Sequence, residues 1–108
     1  MTDYRKMSDF EINKRVFKLM MTGRDWDRQG KGLFDYCNNP ADAWPIIVEN
    51  EICIEFESDE VEGARQVWAE ANIGHPACNG FQFFSDENPL RAAMICFLMK
   101  KDAENAMR

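Results

Sequence analysis

The strongest restraint on the fold of this 108-residue chain is an apolar run near its C-terminus, residues 92–99 (AAMICFLM). Asn88-Pro89 precedes the run and is typical of a helix start, since asparagine caps the first turn and proline has no N–H to leave unpaired. No helix breaker interrupts residues 90–107. A helix that is apolar on every side is buried on several sides, so we expect this one at the centre of the fold. Eight apolar residues are far too few for a membrane span, which needs about 20.

An amphipathic helix is predicted near the N-terminus. Ser8 and Glu11 form the capping-box pattern Ser-x-x-Glu, and Met7 is placed to pack against Ile12 at the helix entry. We expect the helix to end at Gly23, because glycine commonly follows the last helical turn. The apolar residues that recur at helical spacing are Ile12, Val16, Leu19 and Met20.

The middle of the chain carries the signals of a short strand and a second helix. Residues 33–37 are predicted to form the strand. Asn39-Pro40 then repeats the pairing of a capping residue with a first-turn proline. Pro45 falls inside the expected helix, where proline removes a backbone hydrogen bond. We therefore expect a helix that breaks or restarts near Pro45 and runs to about residue 50.

Three further strands are predicted in the second half of the chain. Residues 52–57 alternate apolar and polar side chains, which is the pattern of a half-buried strand. Residues 66–71 are predicted to form the returning strand. Residues 81–84 follow the tight-turn signal Asn79-Gly80 and are predicted to form the third strand.

Together these elements predict an α+β fold. The N-terminal amphipathic helix and the buried C-terminal helix are expected to pack on a small antiparallel β-sheet. The chain length suits a single domain over residues 1–108. Its ends, residues 1–7 and 102–108, are expected to be frayed.

The net charge of −6 is unevenly distributed. Residues 1–31 carry eight basic and five acidic side chains, residues 35–87 carry one and twelve, and residues 88–108 carry four and two. The acidic middle argues against nucleic-acid binding, which needs a basic surface. It leaves open a partner with a basic patch, and the alternative is that the basic chain ends pack beside the acidic middle. The acids of residues 49–62 could mimic a nucleic-acid backbone, or could simply be the solvated face of a strand.

Three segments resemble the NinX-like proteins of lambdoid phages. They are MSDFEINKRV (residues 7–16), DYCNNPADAWPIIVEN (35–50) and NPLRAAMICFLM (88–99), which follow the family's order and cover 38 of 108 residues. The resemblance implies a protein encoded among the accessory genes of temperate phages of enteric bacteria and acting in the host cytoplasm. It implies no activity, catalytic residue or ligand, and it leaves modulation of an unidentified host or phage protein as the expectation.

The central segment, residues 35–50, is the candidate binding surface. In a purely structural explanation, Asn39 and Asp42 cap helix ends, Asn38 shapes a turn and Trp44 fills the core. Capping does not explain Tyr36 and Trp44, whose amphipathic rings favour contact surfaces. A binding role predicts an exposed aromatic patch that contains one of these two rings. The candidate binding residues are Asp35, Tyr36, Asn38, Asn39, Asp42, Trp44 and Arg91.

Arg91 is the one basic residue in the apolar part of the C-terminal helix. A buried charge needs a partner, and Asp35 or Asp42 is expected to provide it. A structural ion pair is the favoured role for Arg91, and anion binding is the alternative.

The cysteines and the single histidine raise the question of a metal site. No Cys-x-x-Cys pair is present, and reduced thiols are expected in a cytoplasmic protein. His75 and Cys78 have a His-x-x-Cys spacing, but zinc would need two further ligands from Cys37, Cys53 or Cys96. A Cys-His nucleophile is the other reading of the same pair.

No phosphate loop, dinucleotide fingerprint or metalloprotease motif occurs, so we expect a protein that is not an enzyme and has no cofactor and no metal. The leading hypothesis is a protein-binding module, with no nucleic-acid or membrane partner. The alternative is a small-molecule or metal-binding domain, with its site near Asp35, Asp42 and Arg91 or near His75 and Cys78. A homodimer is a third possibility, since methionines and aromatic residues are numerous.

Overall fold

The computed structural model describes residues 3–74 and 80–106. Within these residues the elements are α1 (Asp9–Met20), α2 (Pro40–Glu49), β1 (Cys53–Val61), β2 (Ala64–Ile73), β3 (Gln82–Asp86) and α3 (Pro89–Ala106). A short 3₁₀ turn at Tyr4–Lys6 precedes α1, and a π-helical turn at Trp26–Gly30 follows it. The predicted α+β class is confirmed, because helices accompany a three-stranded antiparallel sheet on which α3 packs.

Helix α1 begins as its capping box predicts. The Ser8 hydroxyl accepts a hydrogen bond from the Glu11 N–H at 3.2 Å and donates to the Glu11 carboxylate at 3.3 Å. The helix ends at Met20, three residues before Gly23, which has a φ of +86°. Its buried face differs from the predicted one, since Leu19 and Met20 are exposed. The buried residues of α1 are Ile12, Asn13, Val16 and Phe17.

Helix α2 is continuous, so the predicted break near Pro45 is wrong. Asn39 caps it as predicted, accepting a hydrogen bond from the Ala41 N–H at 3.0 Å. Pro45 withholds a donor from the carbonyl of Ala41, four residues earlier. Because Ala41 is exposed near the helix start, water can satisfy that carbonyl, and the helix continues.

The predicted strand at residues 33–37 is also wrong, because this stretch forms turns. The Phe34 N–H donates to the Gly30 carbonyl at 3.0 Å, and the Asn39 N–H donates to the Asp35 carbonyl at 2.7 Å. These local bonds satisfy backbone groups that a strand would have to pair with a neighbouring strand.

The three predicted strands are present, and the first two are longer than predicted. β1 and β2 are joined by Glu62-Gly63, both at positive φ (52° and 82°), as the tight turns of hairpins require. β2 is central: Ala71 lies opposite Ile54 of β1 and Phe84 of β3.

Only part of the hairpin belongs to the core. Ala69, Ala71 and Ile73 of β2 are buried. Phe56 and Val67, nearer the turn, are 70% and 51% exposed, so the half-buried pattern predicted for residues 52–57 holds only at the start of β1. The hairpin end therefore leaves apolar surface uncovered.

Helix α3 confirms the strongest expectation from the sequence. The Asn88 side chain accepts hydrogen bonds from the Leu90 and Arg91 N–H groups at 3.0 and 3.3 Å, which caps the helix. Every residue from 92 to 98 is buried. α3 packs against β2, β3, α1 and α2, so it is the centre of the core.

The N-terminal 3₁₀ turn contacts the end of α3. Tyr4 is 5% exposed, and its hydroxyl donates to the carboxylate of Asp102 near the end of α3. This bond ties the N-terminal turn to the last helix. Among the described residues, no helix is both long and apolar enough to span a bilayer.

Candidate functional site

A groove of about 490 Å³ lies between α1 and the start of α2. One wall comes from the first residues of α1 and the other from the turns and cap that lead into α2. Acidic and aromatic side chains alternate around it. The lining residues are Asp9, Phe10, Asn13, Trp26, Gly32, Leu33, Phe34, Asp35, Asn38, Asn39 and Asp42. We call this cavity the acidic groove.

Asn13 holds the two walls of the acidic groove together. It is 6% exposed, on the buried face of α1. Its side-chain amide donates to the Asp35 carboxylate at 2.9 Å, and its oxygen accepts from the Cys37 N–H at 3.1 Å. The turn before α2 is therefore fixed to α1 at two points.

The carboxylates of Asp35 and Asp42 are oriented by neutral donors. Asp42 accepts a hydrogen bond from the Asp35 N–H at 2.9 Å. The Asn38 amide donates to Asp9 at 3.1 Å and to Asp35 at 3.2 Å. Within residues 3–74 and 80–106, neither Asp35 nor Asp42 forms an ion pair. Both negative charges therefore lack a cationic partner there.

Trp26 also lines the groove, and its indole nitrogen is buried. The ring is 4% exposed and packs edge-on against Phe10 and Phe17, with centroid distances of 5.6 and 5.4 Å. Its Nε1 is buried and has no hydrogen-bond partner among the described residues. Leaving a buried donor without an acceptor costs about 1–3 kcal/mol.

Arg91 does not pair with Asp35 or Asp42, and this prediction is wrong. Its guanidinium contacts Asp9 at 2.7 Å and Asp86 at 3.1 Å, and it donates to the Met7 carbonyl at 2.7 Å. The start of α3 is thereby joined to the entry of α1 and the end of β3. Burial acts to lower the pKa of Arg91, but the hydrogen bond and charge of Asp9 and the charge of Asp86 outweigh it, so the pKa is raised. The favoured role, a structural ion pair, fits this geometry.

The two candidate aromatic residues lie in opposite environments. Tyr36 is 3% exposed and stacks on Phe34 at 5.5 Å, so it contributes no exposed aromatic surface. Burial, followed by the negative charge of Asp42, raises the pKa of Tyr36 to about 12. Trp44 is 62% exposed and remains available for contact.

Trp44 belongs to a second apolar face of α2. Ala43, Ile46 and Ile47 of this helix face the core. The opposite side is exposed and almost equally apolar, at the i, i+3, i+4, i+7 spacing of one helical face. We call it the outer α2 face; it consists of Ala41, Trp44, Pro45 and Val48.

The metal-site alternative concerns His75 and the four cysteines. His75 and Cys78 lie outside the described residues. Cys37 and Cys96 are buried, which raises the pKa of each thiol to about 12, although Arg91 opposes the shift at Cys37. Cys53 is exposed. No two of these three thiols form a disulfide with each other.

One acidic cluster occurs on the outer face of the sheet. Glu55, Glu57 and Glu70 bring carboxylate oxygens within 4.8 Å of one another. Glu57 accepts a hydrogen bond from the Trp68 indole at 3.0 Å. This arrangement fits the solvated strand face that the sequence predicted as the simpler explanation of these acids.

Seven of the eleven residues that line the acidic groove are outside the predicted site. Asp9, Phe10 and Asn13 come from α1, whose sequence is fully accounted for by an amphipathic helix. One signal was available: Asn13 lies beside Ile12 on the face that Val16 marks as apolar. A polar residue in that position has to find partners inside the protein.

Comparison with known proteins finds one family. A family model described as "Bacteriophage P22, NinX" matches residues 3–101. No curated protein and no solved structure matches the chain.

Proposed function

The chain belongs to the bacteriophage P22 NinX family, and we propose that it is a non-enzymatic accessory protein that binds a host or phage protein in the host cytoplasm. The contact surface of this proposal is the outer α2 face together with the adjoining acidic groove. Within residues 35–50 the proposal retains Asp35, Asn38, Asn39, Asp42 and Trp44 as binding residues. Tyr36 and Arg91 are assigned to structure.

The outer α2 face is the observation that carries this proposal. Trp44 and Val48 lie one helical turn apart and are 62% and 55% exposed. An exposed patch of neighbouring apolar side chains marks a protein-interaction site more often than an isolated apolar side chain does. Exposed tryptophan is typical of residues that dominate binding energy in protein interfaces. α2 is buried on one side by its own fold, so its other side has the composition of a surface that a partner covers.

Charge favours a basic partner surface. Asp42 lies on α2 and lines the acidic groove, and Glu49 lies on the same side of the helix, two turns away. Lysine and arginine groups beside this flank would steer and orient the bound protein. Nucleic acid is disfavoured by the same charges.

A non-enzymatic role is supported by what the groove's polar groups already do. Asp9 holds Arg91, Asp35 accepts from Asn13, and Asp42 accepts from a backbone N–H. Each of these carboxylates therefore already has a structural task.

A small-molecule site is the second candidate, and the acidic groove is the observation that favours it. Its volume of about 490 Å³ lies within the usual range of ligand sites, roughly 300–1,000 Å³. Three carboxylates on its lining disfavour anions, and Arg91 is not on the lining. Thermal-shift screening of cationic and neutral metabolites separates this candidate from the first.

The protein-binding proposal is tested by capture from phage-infected host lysate. The bait is the wild-type chain, a Trp44→Gln, Val48→Gln double variant, or a matched control with Phe56→Thr and Val67→Thr, which removes exposed apolar side chains from the hairpin. We expect wild type and control to retain the same protein and the α2 variant to lose it. The retained protein is then purified, and its affinity for all three chains is measured by calorimetry.

Equal affinity for the α2 variant and wild type would refute the proposed surface. If the retained protein is instead a second copy of this chain, the protein is a homodimer. Light scattering would then give the molar mass of a dimer.

A further inference from the structure

We propose that the acidic groove receives an arginine side chain of the bound protein. This inference rests on the proposed function, since the arginine belongs to the protein that covers the outer α2 face. Three properties of the groove select arginine among the side chains: its charge, its aromatic walls and its buried donor.

Charge is the first property. Asp9, Asp35 and Asp42 line the groove, and Arg91, the one cation paired with any of them in the described part of the chain, is shared between Asp9 and Asp86. The carboxylates of Asp35 and Asp42 are held by neutral donors alone. An ionised carboxylate has about four acceptor positions, so each retains room for a cationic donor. A guanidinium or ammonium group is therefore favoured.

Aromatic walls decide between the two cations. Phe10, Trp26 and Phe34 share the groove with the carboxylates. A planar, weakly hydrated guanidinium stacks on rings and binds carboxylates with two parallel hydrogen bonds, whereas a lysine ammonium is a strongly hydrated point charge. Phe10 already carries one cation at the rim, with the Lys31 ammonium 5.9 Å from its ring centroid. The combination of rings and carboxylates favours arginine.

The buried indole of Trp26 requires a hydrogen-bond acceptor, and this requirement is independent of the charge of the groove. Its Nε1–H has no acceptor among the described residues, and the ring lines the groove. A guanidinium has donors only and cannot satisfy it. The main-chain carbonyl of an arginine residue is an acceptor joined to the same cation. A peptide arginine therefore meets both needs of the groove, and a simple alkylguanidine or polyamine meets one.

The test follows the Trp26 indole by nuclear magnetic resonance. Spectra of the ¹⁵N-labelled full chain are recorded during titration with N-acetyl-arginine amide. N-acetyl-citrulline amide, which has the carbonyl without the charge, and butylguanidinium, which has the charge without the carbonyl, are the comparison probes. Trp44→Phe and Trp68→Phe variants assign the three indole signals. We expect a saturable shift of the Trp26 signal with the arginine probe, and binding at least tenfold weaker with either comparison probe.

A matched pair of variants locates the site. Asp42→Asn keeps an oxygen for the Asp35 N–H and removes one groove charge. Asp59→Asn removes one charge from the exposed end of β1. We expect Asp42→Asn to weaken the arginine probe about tenfold, the loss typical of one charge-assisted hydrogen bond, and Asp59→Asn to leave it unchanged.

Equal binding of the three probes, or equal effects of the two variants, would overturn the arginine inference. Failure here is distinguishable from failure of the proposed function. If the arginine probe does not bind but Trp44→Gln, Val48→Gln still abolishes capture, only the arginine inference falls. If the probe binds Trp26 while that double variant still captures the partner, the outer α2 face is the part that is wrong.

Discussion

Asn13 shows how a single buried amide can position a site that lies mostly outside its own helix. Its amide orients the Asp35 carboxylate, and its oxygen accepts from the backbone of Cys37, 24 residues away. A buried amide is stabilising only when both ends are satisfied, because desolvation is otherwise uncompensated. Asn13 therefore contributes to stability and to the shape of the acidic groove through the same two bonds.

Replacing Asn13 with alanine is predicted to lower the free energy of unfolding by about 1–3 kcal/mol, because the buried Cys37 N–H loses its acceptor. Urea unfolding followed by circular dichroism measures the change. Asn105→Ala is the control, since Asn105 is an exposed helical asparagine and such a substitution changes stability by about 0.5 kcal/mol or less. Equal stabilities of the two variants would remove the structural role given to Asn13.

At the level of single residues, the sequence predicts helix capping well. Ser8, Asn39 and Asn88 cap helices as expected, because a cap acts on backbone groups two or three residues away. The partner of Arg91 could not be predicted in the same way. Asp9 lies 82 residues from it along the chain, and only the packing of α3 beside the entry of α1 brings the two together.

Helix α2 has two apolar faces that do different work. Ile46 and Ile47 are 1% and 5% exposed and join the core, whereas Trp44 and Val48 are more than half exposed. Packing explains the first face. The second face contributes little to folding, because its side chains remain in water in the free protein.

The Trp44→Gln, Val48→Gln double variant is therefore predicted to retain nearly the full free energy of unfolding, within about 1 kcal/mol for the pair. Ile46→Ala, on the same helix, is predicted to cost about 2–5 kcal/mol, because it removes buried methyl groups and leaves a cavity. Urea unfolding measures both. A loss in the double variant as large as that of Ile46→Ala would mean that the outer α2 face supports the fold and is not reserved for a partner.

Among the predictions of secondary structure, the wrong ones concern residues whose conformation depends on their environment in the folded protein. Pro45 was expected to break α2, but the carbonyl it leaves without a donor is exposed near the helix start. Residues 33–37 have a strand-like composition, but the carbonyls of Gly30 and Asp35 satisfy their backbone locally. Helices with a strong cap and the tight hairpin turn were predictable because their determinants are contiguous in sequence.

Helix α3 is the centre of the core of the whole molecule, and side chains from the other elements pack around it. Tyr36 and Cys37 come from the turn before α2, Cys96 comes from α3, and all three lie in one core with 3% exposure or less. The four lining residues of the acidic groove between positions 35 and 42 could be predicted from the sequence. The lining from α1 and from residues 26–34 could not, since it joins the groove only through tertiary packing. The same core makes global stability sensitive to the ionisation of groups that are far apart in sequence.

Alkaline pH is predicted to destabilise the protein through its buried thiols. Burial raises the pKa of Cys37 and Cys96 to about 12, whereas an unfolded cysteine ionises near pH 8.5. Above that pH the unfolded chain loses protons that the folded chain keeps, so the unfolded state is favoured as pH rises. The stabilisation is complete below about pH 8.5 and declines toward pH 12, by at most about 1.4 kcal/mol per pH unit for each thiol. Tyr36, whose pKa is also raised to about 12, adds to the decline above its usual value of 10.0.

Guanidinium unfolding between pH 7.5 and 10.5, under reducing conditions, measures this decline. A Cys37→Ala, Cys96→Ala variant is the comparison, and its slope of unfolding free energy against pH is predicted to be shallower than that of wild type above pH 8.5, whatever its absolute stability. The two proteins differ only at these two thiols, so the difference between their slopes isolates the buried thiols. Identical slopes would mean that these thiols ionise as readily in the folded protein as in the unfolded chain, and that the core around α3 admits water and charge.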